Sequence, residues 1–304
     1  MLLWLWTRWV SAALLSGCVG VVCYESHTLS GEHAAPVFPP QRIVSLTLGT
    51  DEMLLALVAR ERIAALTYLA DDPRYSNIVA EARAIAHKVR GNAELVFARQ
   101  PDLILVAAYT PASAKDLLRQ VGVPVVELGS YDSLASIERN ILTVGQAVGE
   151  ETQAQALVAA MWQRLSAVRE QIGDAPRPRV VYYSPGGFIA GDQTIMHDVL
   201  TYAGARNAAV EIGIHSGKKI STETLVALNP AAILVSGEAQ GVGLRDLLLA
   251  DPTLQTIAAV ERGAVYSLPR AYTSTVSHHI VRCAEAIARV LHPERFAVAR
   301  EHSQ

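Results

Sequence analysis

The chain has 304 residues, of which 51% are hydrophobic and 18% are charged, and its formal net charge is −3. At roughly 150 residues per domain, this length predicts about two domains, and the composition predicts a globular protein with little disorder. The chain has no clustered stripe of lysine and arginine, which argues against a nucleic-acid-binding protein. Its cysteines, Cys18, Cys23 and Cys283, form no CxxC pair, which excludes a disulfide scaffold and a cysteine-based zinc site.

The first 22 residues are apolar apart from Arg8 and a few small residues, and they contain the run Leu15-Ser16-Gly17-Cys18. A hydrophobic segment that ends in small residues is typical of a secretory signal. Leu-Ser-Gly-Cys resembles the lipobox of bacterial lipoproteins, so we predict a signal peptide over 1–17 and lipidation at Cys18. An uncleaved anchor helix and a plain cleaved signal are the alternatives. All three place the body outside the cytoplasm, and we expect a periplasmic protein that is lipid-anchored to the inner membrane.

Residues 18–40 contain two serines and three prolines, a composition that predicts a flexible tether. Short apolar runs then alternate with segments of helical spacing, which predicts an N-terminal α/β lobe over 41–149 with a mainly parallel sheet. Its predicted strands and helices are, in chain order, a strand at 42–46, a helix at 51–58, a strand at 63–68, a buried strand at 103–108, a helix at 112–121 and a strand at 124–128.

Helical periodicity runs from residue 133 to residue 172 and is broken once, at Gly149. We predict a linking helix over 150–173, which is long for a globular protein. A second α/β lobe is predicted over 174–296, followed by a tail over 297–304. This lobe has predicted strands at 179–183, 231–235 and 264–268, and predicted helices at 194–203 and 276–291. The predicted fold is therefore α/β, with two Rossmann-like lobes joined by one long helix.

The two lobes repeat one local pattern. The run Gln100-Pro101-Asp102-Leu103-Ile104-Leu105-Val106 in the first corresponds to Asn229-Pro230-Ala231-Ala232-Ile233-Leu234-Val235 in the second. A short predicted helix with a glutamate, Glu94 or Glu223, precedes each run. This correspondence indicates an internal pseudo-repeat.

Several short motifs occur in an order that resembles the class III periplasmic binding proteins, which serve ABC importers of cobalamin, ferric siderophores and haem. The first strand followed by Glu52 is similar to that family's opening, although Asp51 stands where the family usually has threonine. The other similar segments are Asn92-Ala93-Glu94, Gly122-Val123-Pro124-Val125, Ala203-Gly204-Ala205-Arg206-Asn207, Ile220-Ser221-Thr222-Glu223 and His292-Pro293-Glu294. The resemblance extends from about Gln41 to Phe296.

The resemblance implies a ligand cleft between the lobes and a long helix that keeps the lobes nearly rigid. It also implies that one surface glutamate on each lobe, Glu52 and Glu223, meets arginines of the membrane permease. Such pairs are charge-assisted, and they fix register more than they add affinity. The implied partners are an ABC permease and its ATPase, and we expect a monomer.

Ligands of parallel α/β lobes bind beyond the carboxyl ends of the strands. The candidate ligand-binding residues at these ends are Thr47, Tyr68, Tyr109, Gly187, Arg270 and Tyr272. Tyrosine rings offer a flat apolar face with a hydroxyl, which suits a large metal chelate. We therefore predict a ferric siderophore or a cobalamin-type corrinoid as the ligand.

Haem is the alternative ligand, with Tyr68, Tyr109 or His215 as the axial group. Lys218, Lys219 and Arg270 are cations that could attract an anionic chelate. A ligand sensor or chaperone that is not coupled to transport is an alternative of another class.

An enzyme is not predicted, because GxSxG, HExxH and GxxxxGK[ST] motifs are all absent from the sequence. His278 and His279 are adjacent, so their side chains are expected to point in different directions and not to chelate a metal together. We predict no catalytic residue, no resident metal and no cofactor.

Overall fold

The computed structural model describes residues 39–120, 122–237 and 243–297. The predicted signal peptide, the lipidation site Cys18, most of the tether and nearly all of the tail lie outside the described residues.

The N-terminal lobe is built on a five-stranded parallel sheet with the strand order β3-β2-β1-β4-β5. Its strands are β1 (Ile43–Ser45), β2 (Ile63–Thr67), β3 (Lys88–Val89), β4 (Leu103–Ala107) and β5 (Val125–Leu128). All five residues of β4 are buried, as expected for a central parallel strand covered on both faces.

Helices cover this sheet, and capping side chains begin the two longest ones. The helices are α1 (Leu48–Leu57), α2 (Val79–Ala82), α3 (Ala93–Phe97), α4 (Ala112–Arg119) and α5 (Leu134–Val148). Thr47 caps α1, and Ser133 caps α5 through its hydroxyl, which accepts from the Ser136 amide at 3.2 Å. Gly149 ends α5 at φ 72°, a conformation that glycine adopts without steric cost.

The predicted long helix is α6 (Glu151–Ile172), and it packs against helices of both lobes. One stripe of α6 is buried: Ala154, Val158, Met161, Leu165, Val168 and Ile172. Their spacing of three or four residues places them on one helix face. Because this face contacts helices of both lobes, α6 is part of the core that they share.

The C-terminal lobe has a six-stranded sheet with the order β11-β10-β6-β7-β9, and β8 pairs with β6. Its strands are β6 (Arg179–Ser184), β7 (Phe188–Ala190), β8 (Arg206–Asn207), β9 (Gly217–Lys219), β10 (Ala232–Ser236) and β11 (Val265–Leu268). The pairs β6/β7 and β7/β9 are antiparallel, so this sheet is mixed. The sequence did not predict β7, β8 and β9, because they are two or three residues long and carry little periodic signal.

The helices of this lobe are α7 (Ile195–Tyr202), α8 (Thr222–Leu228), α9 (Leu244–Ala250), α10 (Ala258–Glu261), α11 (Arg270–Thr273), α12 (Val281–Leu291) and α13 (Pro293–Phe296). The final helix, predicted from residue 276, begins five residues later, after a 3₁₀ turn at His278–Ile280. The predicted α/β fold with two lobes and a long helix is confirmed.

Backbone geometry supports the internal repeat. Gln100 has φ 50° and Asn229 has φ 42°, and they are the non-glycine residues with left-handed φ in the described chain. This conformation is uncommon for residues other than glycine. Each of the two precedes a proline and a buried central strand, so the lobes share this unusual turn at equivalent positions.

Candidate functional site

Two loops from different lobes meet at the carboxyl ends of the strands. Arg270, after β11, donates through Nη1 to the hydroxyl of Tyr75, in the loop after β2, at 3.2 Å. In the same place the Asn77 side-chain amide donates to the Ala271 carbonyl at 2.8 Å. The carboxyl ends of the strands in one lobe therefore lie close to those in the other, and these are the ends at which α/β lobes bind ligands.

Tyr68 begins the loop after β2, and the residue is 41% exposed. The guanidinium carbon of Arg90, which follows β3, lies 4.1 Å from the centre of this ring. This distance is within the range of a cation–π interaction. The pair presents an aromatic face and a positive charge together at the sheet edge.

Tyr109 follows β4 and is 61% exposed. Its ring centre lies 5.5 Å from that of Tyr131, which follows β5, and the two rings are tilted by 52°. The Tyr131 hydroxyl is buried and has no hydrogen-bond partner among the described residues. Two neighbouring strands thus end in a pair of aromatic rings.

Tyr272 and Arg270 both belong to α11, and both are partly buried. The Arg270 guanidinium lies 5.5 Å from the ring centre of Tyr75, and that of Arg282 lies 6.0 Å from the ring centre of Tyr272. Arg270 also reaches the Gly237 carbonyl at 3.4 Å. Aromatic rings beside guanidinium groups therefore recur in both lobes.

Hydroxyl groups cluster at the ends of β6 and β10. The Ser236 hydroxyl lies 2.9 Å from that of Thr273, and both residues are partly buried. Burial raises the pKa of Tyr182, whose hydroxyl bonds to Thr273 and to two nearby serines. The C-terminal lobe therefore contributes neutral hydrogen-bonding groups beside the guanidiniums.

Two of the predicted ligand contacts are largely inaccessible. Thr47 is only 7% exposed, and its hydroxyl caps α1 and bonds to Tyr109, so it supports that ring. Gly187 is buried in the turn between β6 and β7, where its amide donates to Ser184 and its carbonyl accepts from Ile220. The polar groups of Thr47 and Gly187 are thus engaged within the protein, and the contact of these two residues with a ligand stays a prediction.

The expected surface position of Glu52 is wrong. This residue is 1% exposed, and its carboxylate accepts hydrogen bonds from Asn77, Thr275 and Ser277. Burial raises the pKa of Glu52. The sequence motif places a glutamate near the start of a helix, but it does not show whether the side chain points to solvent or into the protein.

Glu223, by contrast, lies in the first turn of α8 and is exposed. Its counterpart in the internal repeat is Glu94, which is also exposed in the first turn of α3. Each helix has a polar N-cap residue, Asn92 or Ser221. The lobes therefore present one exposed glutamate each at equivalent positions.

His215 lies just before the edge strand β9. Its Nδ1 is 3.0 Å from an Asp192 carboxylate oxygen, and its side chain is 64% exposed. Lys218 and Lys219 lie on β9 and are also exposed. In the described part of the chain, no hydrogen bond, ring contact or cation–π contact joins these three residues to the predicted ligand-binding tyrosines.

The rings of His278 and His279 do not diverge as expected, since their centres lie 4.1 Å apart. The 3₁₀ turn that carries them brings the rings together. Among residues 39–120, 122–237 and 243–297, no group of three or more histidine, cysteine, aspartate or glutamate side chains could hold a metal ion. Within those ranges, no helix has the length and hydropathy needed to cross a membrane.

A surface depression of about 280 Å³ lies at the opposite edge of the N-terminal sheet, where the strands begin. Its lining includes Arg42, Arg60 and Arg99, and Arg42 donates to backbone carbonyls of residues 99 and 100. It contains none of the predicted ligand-binding residues. Parallel strands direct ligands to their other ends, so we place the candidate site between the lobes.

Three residues of this site, Tyr75, Tyr131 and Arg90, were not predicted from the sequence. Tyr131 follows β5, which was predicted, so the rule about strand ends could have found it. Arg90 follows β3, a strand of two residues that carries too little periodic signal to be predicted. Tyr75 lies eight residues beyond the end of β2, and only the structure shows that the intervening loop returns to the cleft.

The chain is similar to several curated proteins, three of which are described here. An ABC transporter substrate-binding lipoprotein of Bacillus subtilis, YvrC, is 24% identical over 84% of this chain and 82% of its own. A cobalamin-binding protein of Halobacterium salinarum is 22% identical over 83% of this chain and 68% of its own. The ferric enterobactin-binding periplasmic protein FepB of Escherichia coli is 28% identical over 80% of this chain and 81% of its own.

A solved structure of a periplasmic haem-binding protein from Pseudomonas aeruginosa superimposes with a TM-score of 0.68. It is 25% identical, and the match covers 84% of this chain and 93% of that one. The model of the periplasmic binding protein family matches residues 43–272. The resemblance seen in the sequence motifs is thereby confirmed, and the chain belongs to the periplasmic binding protein family.

Proposed function

We propose that this protein captures a metal chelate, either a ferric siderophore or a cobalamin-type corrinoid, and delivers it to an ABC permease. The observation that supports the proposal most is the pairing of tyrosine rings with guanidinium groups where the strand ends of both lobes meet. Flat aromatic faces suit a large chelate, and guanidiniums suit its anionic groups. The named ligands of the relatives, cobalamin and ferric enterobactin, belong to this class.

The proposed ligand contacts are Tyr68, Tyr109, Tyr272 and Arg270, with Tyr75 and Tyr131 added from the geometry. Tyr68 and Tyr109 are the most exposed of these rings. The unpaired, buried hydroxyl of Tyr131 can act as a donor or an acceptor once a ligand covers the adjacent ring.

Titration of single Tyr→Ala variants with cyanocobalamin, ferric enterobactin and haem tests this function. Removal of a ring from a desolvated contact lowers affinity by about thirtyfold at a hot spot. For the chelate that the wild type binds, we expect at least one of Tyr68→Ala, Tyr109→Ala and Tyr272→Ala to bind with an affinity lowered by about tenfold or more. Wild-type affinity in all three would contradict the placement of the site, and no binding by the wild type would contradict the ligand class.

The lobes dock to the permease through Glu94 and Glu223 in this proposal. Both carboxylates are exposed at equivalent helix starts, whereas Glu52 is buried and cannot reach an arginine of another protein. A charge on each lobe would fix the register of the complex.

The proposed location is the periplasmic side of the inner membrane, with lipidated Cys18 as the anchor. The support is the Leu15-Ser16-Gly17-Cys18 motif and the lipoprotein relative of Bacillus subtilis. Cys18→Ala should leave the protein unprocessed or release it from membranes. Normal cleavage and unchanged membrane fractionation of the variant would contradict lipidation.

A further inference from the structure

Glu52 joins the lobes through hydrogen bonds on both carboxylate oxygens. One oxygen, Oε1, accepts from the Asn77 backbone amide at 3.3 Å and from its side-chain amide at 3.0 Å. The other, Oε2, accepts from the hydroxyls of Thr275 and Ser277, each at 2.5 Å. Asn77 belongs to the N-terminal lobe, and the two hydroxyls belong to the segment after α11 in the C-terminal lobe.

The Glu52 carboxylate is buried, and the groups around it are hydrogen-bond donors. Thr275 and Ser277 are 2% and 0% exposed. A buried carboxylate is costly unless hydrogen bonds compensate for lost hydration, and bonds to an ionised group are stronger than neutral ones. Four donors therefore suit an ionised Glu52. Loss of the carboxylate would remove the acceptor that the two hydroxyls share, and these hydroxyls, 3.0 Å apart, could then bond only to each other.

Close backbone packing brings the same segment onto α1. A Cβ atom added to Gly49 would lie 2.7 Å from the Val276 side chain and 3.5 Å from the Val276 carbonyl oxygen. Glycine permits this approach. The hydrogen bonds of Glu52 and the contact at Gly49 therefore hold the same three residues of the C-terminal lobe, 275–277.

A second set of bonds connects Glu52 to the proposed ligand contacts. The Asn77 amide that donates to Glu52 also donates to the Ala271 carbonyl, at 2.8 Å. Ala271 lies between Arg270 and Tyr272 in α11. The position of α11 against the N-terminal lobe thus depends on Asn77, which Glu52 fixes.

We propose that Glu52 is a positioning residue that fixes α11 and residues 275–277 against the N-terminal lobe. It thereby holds Arg270 and Tyr272 in register with the tyrosines of the other lobe. The ligand part of this inference rests on the proposed chelate-binding function. The positioning part concerns the protein alone and is measured without ligand.

Hydrogen exchange of the full chain, measured by mass spectrometry without ligand, tests the positioning. In Glu52→Ala, and in the double variant Thr275→Val/Ser277→Ala, we expect amides of residues 271–277 to exchange at least about tenfold faster, because local opening becomes easier. Glu52→Gln retains an acceptor oxygen, so its effect should be smaller. Glu138→Ala is the matched control, since Glu138 accepts from Trp162 between α5 and α6 and makes no bond to α11.

Affinity of the same variants for ferric enterobactin, cyanocobalamin and haem tests the ligand part. For the chelate that binds wild type, we expect about a tenfold loss in Glu52→Ala and in the double variant. Combining all three substitutions should add little, because the residues act as one unit. Thr275→Val alone, which keeps its size, provides the measurement if Glu52→Ala does not fold.

Unchanged exchange over 271–277 in Glu52→Ala would overturn the positioning role. Faster exchange with unchanged affinity would overturn the link to ligand binding. If wild type binds no chelate, the proposed function fails and the ligand part fails with it, while the exchange result still decides whether Glu52 fixes the segment.

Discussion

The guanidinium of Arg270 donates to the hydroxyl of Tyr75 at 3.2 Å and lies 5.5 Å from the centre of that ring. One residue follows β11 and the other lies in the loop after β2, so this contact joins the two lobes where both sheets present their strand ends. Tyrosine and arginine are enriched among residues that dominate binding energy. The contact thus places two such groups at the edge of the proposed ligand site.

Replacement of Tyr75 should weaken chelate binding. In Tyr75→Ala the Arg270 guanidinium loses both a hydrogen bond and an aromatic face, and we expect affinity to fall about tenfold or more. Tyr75→Phe keeps the ring and should lose less. Fluorescence titration with the chelate that binds wild type measures the effect, and Tyr202→Phe, on α7, is the control. Wild-type affinity in Tyr75→Ala would show that the contact has no role in binding.

Charge reversal at Glu94 and Glu223 should abolish uptake and leave ligand binding intact. Both glutamates are exposed, so Glu94→Lys with Glu223→Lys should change chelate affinity by no more than a few-fold, while docking loses its steering and register. Uptake of radiolabelled chelate by cells, with binding measured on purified protein, separates the two effects. The matched control is charge reversal at two other exposed glutamates, Glu61 and Glu261. Equal uptake by wild type and the Glu94/Glu223 variant would refute docking at these positions.

The crossing of α5 and α6 should not tolerate a larger residue at position 145. A Cβ on Gly145 would lie 2.3 Å from the Ala154 Cβ atom and 3.2 Å from the Glu150 carbonyl oxygen. Gly145→Ala must therefore separate the helices, and overpacking of this kind costs about 1–3 kcal/mol. Urea denaturation measures the loss. Gly129→Ala, where the added atom meets nothing within 4 Å, should change stability little.

The broad architecture was predictable because it depends on long periodic segments. The buried strand β4 and the long helix α6 have strong apolar patterns that local sequence reveals. The edge strands β7 and β9 were not predictable, since three residues carry no period and their pairing is set by the rest of the sheet. Tertiary pairing decides such short segments.

The site was predictable only in outline. The rule about strand ends located Tyr68 and Tyr109, which are exposed. It also selected Thr47 and Gly187, although the sequence does not show that their polar groups are used by a helix cap and a turn. It also could not place Glu52, whose hydroxyl partners lie more than 220 residues away along the chain.

His278 and His279 should make the protein less stable in mild acid. Burial lowers the pKa of His278 to about 4 and that of His279 to about 3, and the nearby Arg164 and Arg282 add to the effect. As pH falls, both histidines therefore bind protons in the unfolded chain at a higher pH than in the folded protein. Protonation then favours the unfolded chain, and stability is lost as pH falls below about 6.5.

Each histidine should contribute up to about 1.4 kcal/mol per pH unit to this loss between its folded and unfolded pKa values, reduced by its partial exposure to solvent. Urea denaturation at pH values from about 5 to about 7 measures how the free energy of unfolding depends on pH, because this range spans the ordinary histidine pKa of about 6.5. His279→Asn should flatten the curve. An identical slope in His279→Asn and wild type would contradict the prediction.

Asp51 should produce a dependence on pH of the opposite sign. It is completely buried and accepts hydrogen bonds from the Thr67 amide at 3.1 and 3.2 Å. Burial raises the pKa of this carboxyl well above its usual value of 3.8, and the neighbouring charge of Glu52 adds to the rise. The folded protein therefore holds the proton at pH values where the unfolded chain has released it.

As pH rises from 3.8 through the folded pKa of Asp51, this group should remove up to about 1.4 kcal/mol of stability per pH unit. Asp51→Asn cannot ionise, and its side-chain oxygen can still accept from the Thr67 amide. The difference in unfolding free energy between Asp51→Asn and wild type should therefore move in favour of the variant as pH increases. Urea denaturation of both proteins at successive pH values measures this difference. A difference that stays constant with pH would show that Asp51 does not retain its proton in the folded protein.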